Sequence, residues 1–131
     1  MSDAARMIEE FHRVLDQEPG HGKLGGDNEL RIRLHGEEHW ELVDELRAHN
    51  LPGIAQELAD VLYVAYGTAY TLGIPIDAVL AAVHAANMAK FEGGVQRRAD
   101  GKVAKPEGWE PPDIKAVLDA RPSGGWSGDT S

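Results

Sequence analysis

The 131-residue chain has no cysteine, which excludes a disulfide, a thiolate metal site and a cysteine nucleophile. It is short of positive charge: 13 Lys and Arg stand against 22 Asp and Glu, a formal net charge of −9. That balance argues against broad electrostatic binding to DNA or RNA, so no nucleic-acid partner is expected. A phosphate ligand would need local help from a metal ion or a basic cluster. The opening MSDAARMIEEFHR lacks the apolar core of a signal peptide, and a cytoplasmic location is the expectation. The uncharged stretch Val61 to Ile74 is shorter than the roughly 17 to 25 residues of a membrane span, so no membrane partner is expected either. There is no strand-period segment, no internal repeat, no serine in a nucleophile arrangement and no P-loop.

What is present reads as helix. Met7, Ile8, Phe11, Val14 and Leu15 recur at helical spacing between about Asp3 and Gln17, before Pro19-Gly20 and Gly25-Gly26 break the pattern. A second helix, capped by Asp27 or Asn28, runs to about His49, and a third from about Pro52 to Leu72. Gly73-Ile74-Pro75 leads into a fourth that ends near Phe91 or Glu92, with Gly93-Gly94 beyond it. After a Gly- and Pro-rich loop, RRADGKVAKPEGWEPPD, a short fifth helix spans about Asp113 to Ala120. The expected architecture is all-α: a four-helix-bundle-type core with a short extra C-terminal helix, one domain over 1–120 and a flexible tail over 121–131. A helix uncharged on every side, as over Val61 to Ile74, needs cover on every side, which predicts a homodimer.

Two acidic motifs carry the chemistry. Leu30, Leu34, Glu38, Glu41 and Glu45 follow the spacing of a partner-facing stripe, so carboxylates stand where core leucines belong. Glu37, Glu38 and Glu41 share a sector of about 100°, and Glu57 and Asp60 share one on the next helix. If the two helices pack antiparallel, five carboxylates converge. Buried together they repel one another and lose hydration unless cations or protons neutralise them, and hard divalent ions, Mg²⁺ above all, suit an all-oxygen donor set. The alternative is a solvated acidic face. On the fourth helix Ile76, Leu80 and Val83 lead to Asn87 and Lys90, an amide and a cation suited to ribose and phosphate oxygens, or else an exposed helix end. Lys90, Arg97, Arg98, Lys102 and Lys105 bring five cations into sixteen positions of an acidic chain.

The order EEHWE, ELAD, HAANMAK and DGKVAKPEGW with PPDI resembles the all-α nucleoside triphosphate pyrophosphohydrolase superfamily, which includes MazG-like proteins, all-α dUTPases and phosphoribosyl-ATP pyrophosphohydrolases. The likeness covers roughly Phe11 to Ile114 and is strongest to small MazG-like members with dUTPase-type activity. It implies that Glu38, Glu41, Glu57 and Asp60 hold Mg²⁺, with Mn²⁺ as a substitute, and that Glu37 is a further ligand or orients water. Glu37 and Glu38 are then the catalytic candidates. Asn87 and Lys90 would contact the nucleotide, and Arg97, Arg98, Lys102 and Lys105 its phosphates. The implied reaction cleaves a nucleoside triphosphate to monophosphate and pyrophosphate in a dimer, with a tetramer as the other assembly. dUTP or another non-standard deoxynucleotide is the first substrate, and phosphoribosyl-ATP the alternative. A helical metal-binding or dimerisation module without turnover is the rival of a different class.

His35-Gly36 departs from the family pattern, and a helical glycine costs about 1 kcal/mol relative to alanine. Gly36 either makes room for a ligand or reflects drift. His35 and His39 lie about 160° and 200° round the helix from Glu37, away from the carboxylate sector. Glu9 and His12 have the Glu-x-x-His spacing of di-iron bundles, but no second such pair exists. Phe11, His12 and Trp40 line a base pocket or simply pack.

Overall fold

The computed structural model describes residues 1–26, 28–122 and 125–126. Five helices follow in order: α1 (Asp3–Val14), α2 (Asn28–Arg47), α3 (Leu51–Leu72), α4 (Ile76–Ala89) and α5 (Ile114–Asp119). The all-α class is as expected. The second helix begins at Asn28, and Asp27 lies outside the described residues. No single helix is long and apolar enough to cross a membrane among the described residues.

The ends of the helices have identifiable causes. The Ser2 hydroxyl accepts from the Ala5 amide and caps α1, while its own amide and hydroxyl donate to the Asp77 carboxylate at 2.7 Å each, tying α1 to the first turn of α4. In the α2–α3 turn, Asn50 Nδ2 donates to Glu45 Oε2 at 2.8 Å. Gly53 has no Cβ to collide with that carboxylate, so the two helices can close. Gly73, left-handed at φ 68°, ends α3, and Asp113 caps α5 by accepting from the Ala116 amide.

α2 lies along α3, α1 packs on α3, and α4 leaves α3 at a bend of 118° to pack on α5. α4 is also tied to the core, through Asp77 to the start of α1 and through Ile76. The core comprises Ala5, Ile8, Tyr66, Ala69, Tyr70 and Trp126. Tyr70 is fully buried; its hydroxyl donates to the Gln17 carbonyl at 2.6 Å, and its ring stacks on His12 (centroids 4.6 Å apart) and meets Trp126 edge-on at 5.0 Å. Trp126 belongs to the segment expected to be a flexible tail, most of which lies outside the described residues.

The first helix corrects the expectation from its apolar spacing. Met7, Phe11, Val14 and Leu15 are exposed, and the inward line is Ala5, Ile8 and His12. An imidazole can occupy that line because Gln17 Oε1 meets its Nδ1 at 2.8 Å and Tyr70 covers its face. α3 is only half covered. Its C-terminal half buries Tyr66, Gly67, Ala69, Tyr70 and Thr71, whereas Leu58, Leu62 and Tyr63 are 49%, 59% and 42% exposed.

Candidate metal and phosphate site

α2 mixes half-buried polar side chains, Arg31, Glu38 and Glu45, with half-buried apolar ones, Leu34, Leu42 and Val43. Near its start Arg31 Nε donates to Thr68 Oγ1 and Arg31 Nη2 to the Val64 carbonyl, both at 2.9 Å, and His35 Nε2 lies 2.7 Å from the same hydroxyl. Gly67 makes room: an added Cβ would come within 2.8 Å of Arg31 Nη2. His35 therefore does face α3, with Thr68 as its partner and outside the carboxylate group. Leu30, placed on the inward stripe by its spacing, is exposed.

Two turns further along, the chemistry inverts. One carboxylate oxygen from each of Glu38, Glu41 and Glu57 lies within 4.8 Å of the others. Asp60, a turn beyond Glu57, is near enough for its charge to act on Glu38. Glu37 is exposed and outside the three, since it stands 100° round the helix from Glu38. The five-acid convergence is therefore a core of three with Asp60 beside it.

These acids lack what the upper end of the interface has. Glu38 Oε2 and Glu57 Oε2 are buried with no hydrogen-bond partner, and none of Glu37, Glu38, Glu41, Glu57 and Asp60 forms an ion pair among the described residues. Loss of hydration, then the nearness of the Glu38 carboxyl and the charges of Glu41 and Glu38, push the Glu57 carboxyl up to about 7. Glu38 is also raised, chiefly by burial and by the charges of Glu41 and Asp60, against a lowering influence of the Glu57 carboxyl. Among the described residues no cation pairs with these acids, which leaves a proton between Glu57 and Glu38 to neutralise them. Orphaned buried oxygens, an all-carboxylate donor set and separations under 5 Å fit a hard divalent cation.

The cations gather elsewhere, at the end of α4. Lys90, Arg98, Lys102 and Lys105 line a cavity of about 810 Å³ with Gly101, Val103 and Ala104. Its rim is a small hairpin in which the Arg98 amide donates to the Lys102 carbonyl at 2.7 Å and the Ala104 amide to the Gln96 carbonyl at 2.8 Å, round an Asp100-Gly101 turn. Four of the six substrate-binding candidates meet there. Arg97 instead donates to the Gly101 carbonyl, and Asn87 is exposed and outside the cavity lining.

Three features were not among the candidates. Arg31 and Thr68 are absent from any motif, and only the glycine at 67, opposite a long cation, hints at them. Trp109 was visible only as the end of KPEGW. Its Nε1 donates to the Ala86 carbonyl at 2.7 Å, and the ammonium groups of Lys90 and Lys105 each lie 5.1 Å from its ring centroid. Of the other candidates, Gly36 has open space where a Cβ would be, Trp40 is exposed against His39, and Phe11 meets Tyr63 edge-on.

The family model described as phosphoribosyl-ATP pyrophosphohydrolase matches residues 8–87, which include both acidic motifs and end at Asn87. An uncharacterized protein of Acanthamoeba polyphaga mimivirus is 38% identical over 66 residues, 50% of this chain and 24% of the viral protein. The chain thus corresponds to about a quarter of that relative's length.

Proposed function

The chain belongs to the phosphoribosyl-ATP pyrophosphohydrolase family, and from that premise we propose that it is a Mg²⁺-dependent enzyme that hydrolyses a nucleoside triphosphate to the monophosphate and pyrophosphate. The observation that carries the reading is the pair of buried, partnerless oxygens on Glu38 and Glu57, facing each other across α2 and α3. A structural acid cluster would be paired within the chain. Glu38, Glu41 and Glu57 are the ligands, Asp60 completes the set, and Mn²⁺ can replace Mg²⁺. When bound, the ion supplies positive charge to phosphate oxygens and acidity to a water molecule.

The chain's own groups do the rest. Glu38 orients water and accepts its proton, and Lys90, Arg98, Lys102 and Lys105 offset the charge that builds on the departing pyrophosphate. Asn87 and Arg97 hold the nucleotide at the rim of the cationic cavity. A non-standard deoxynucleotide such as dUTP is the proposed substrate. The family's name favours phosphoribosyl-ATP as the second reading. The exposed Leu58, Leu62 and Tyr63 on α3 support a homodimer in which a second copy covers this helix, with a tetramer as the larger form, and light scattering giving a monomer at micromolar concentration would refute it. Pyrophosphate release with Mg²⁺, measured over canonical nucleotides, dUTP and phosphoribosyl-ATP, tests the activity: release from one of them is expected, and release from none contradicts it.

A further inference from the structure

The cationic cavity is assembled round a side chain that does not line it. At the C-terminus of α4 the Lys90, Phe91 and Glu92 amides donate three residues back, to the carbonyls of Asn87, Met88 and Ala89. This tightening passes over the Ala86 carbonyl, which the Trp109 indole N–H then satisfies at 2.7 Å. The bond reaches back 23 residues and folds the loop against the helix end. Lys90 Nζ, from the helix, and Lys105 Nζ, from the loop, then each stand 5.1 Å from the indole centroid.

Lys side chains are flexible, and two of them beside Arg98 and Lys102 repel one another. Attraction of each ammonium to the ring quadrupole restrains both without consuming their charge, which leaves it available to an anion. We propose that Trp109 is a positioning residue: its ring pre-organises the Lys90 and Lys105 ammonium groups for the phosphate chain of the substrate. This rests on the phosphate-binding role given above to the cavity. Pre-organisation shows as tighter binding, because less side-chain freedom is lost when the anion arrives.

Three variants separate the parts of the claim. Trp109→Phe keeps a ring and removes the N–H, Trp109→Leu removes both the ring and the N–H while keeping an apolar side chain, and Lys90→Ala with Lys105→Ala removes the charges. Inorganic pyrophosphate binding by calorimetry at two salt concentrations is the probe, with KM and kcat measured alongside and circular dichroism to confirm folding. Trp109→Leu should weaken pyrophosphate binding and raise KM about tenfold with a smaller change in kcat, and Trp109→Phe should recover most of the loss. Equal losses in Trp109→Phe and Trp109→Leu would replace the ring by the Ala86 hydrogen bond as the cause. Unchanged binding in Trp109→Leu would overturn the proposal while the double lysine variant still binds weakly. If the lysine variant also binds like the parent, the phosphate role of the cavity fails as well.

Discussion

The α2–α3 interface holds two polar clusters, and they are built on opposite rules. At one end Arg31, His35, Thr68 and the Val64 carbonyl satisfy one another within the chain. At the other, Glu38 and Glu57 bury oxygens that take part in no hydrogen bond among the described residues. Both sets stand on the same pair of helices, so packing alone does not explain the difference. Buried polar groups in folded proteins are almost always paired, and an unpaired pair of like charges persists where a ligand completes it. The first cluster holds the helices together, and the second uses that rigidity to keep acids close that would otherwise separate.

The sharpest way to break this contrast is to neutralise the acids. Glu38→Gln or Asp60→Asn should reduce pyrophosphate release on the order of a hundredfold or more, since each keeps shape and loses a ligand's charge. Circular dichroism should show an intact fold, and near-parental turnover in both would remove the acids from the site. The opposite pattern is expected at the paired end. Arg31→Met should cost about 2 kcal/mol in denaturant unfolding by removing the guanidinium's bonds to Thr68 and Val64, with turnover per folded molecule largely kept.

Acidity should pull the protein in two directions. With Glu57 held up to about 7 against an ordinary 4.5, the metal-free native state binds more protons than the unfolded chain over that range. Its contribution is full below about pH 4.5 and is lost as pH rises through about 7. His12 runs the other way: burial first, then Arg31 and His21, lower it below 6.5 despite the Gln17 hydrogen bond. Its contribution is present above 6.5 and lost as pH falls through the depressed value. Thermal melts in EDTA against pH should therefore flatten at the acid end in His12→Gln and at the neutral end in Glu57→Gln. Gly36→Ala is the smallest change expected, a gain under about 1 kcal/mol with turnover unchanged, because the space beside Gly36 is open. Lost turnover would mean that a ligand uses that space.

The acids were legible in the sequence because helical spacing places Glu38, Glu41 and Glu57 where leucine belongs, and repulsion among carboxylates gives the pattern a meaning. Glu37 was drawn into the same sector by arithmetic on an ideal helix, and its exposure shows how wide a 100° sector is. The pairing of Arg31 with Thr68 was not readable, since an Arg one position from Leu30 looks like a solvated flank until the helix rotates. On α1, separately, the inward line runs through His12 and leaves Met7 and Phe11 outside. Trp109 escaped because its partner is a backbone carbonyl, and which carbonyl a helix end leaves over depends on local tightening that residue types do not encode.

Thermal melts of Glu57→Gln with EDTA and with Mg²⁺ test most directly whether the unpaired end of the interface is a metal site. The parent should melt higher as Mg²⁺ is added near neutral pH, in proportion to the logarithm of its concentration once binding saturates. In Glu57→Gln the metal-free protein should be as stable as the parent or more so, because repulsion is relieved, and the Mg²⁺ response should be nearly erased. A variant that melts lower without metal yet gains the full parental increment with Mg²⁺ would make Glu57 a structural residue and contradict the account.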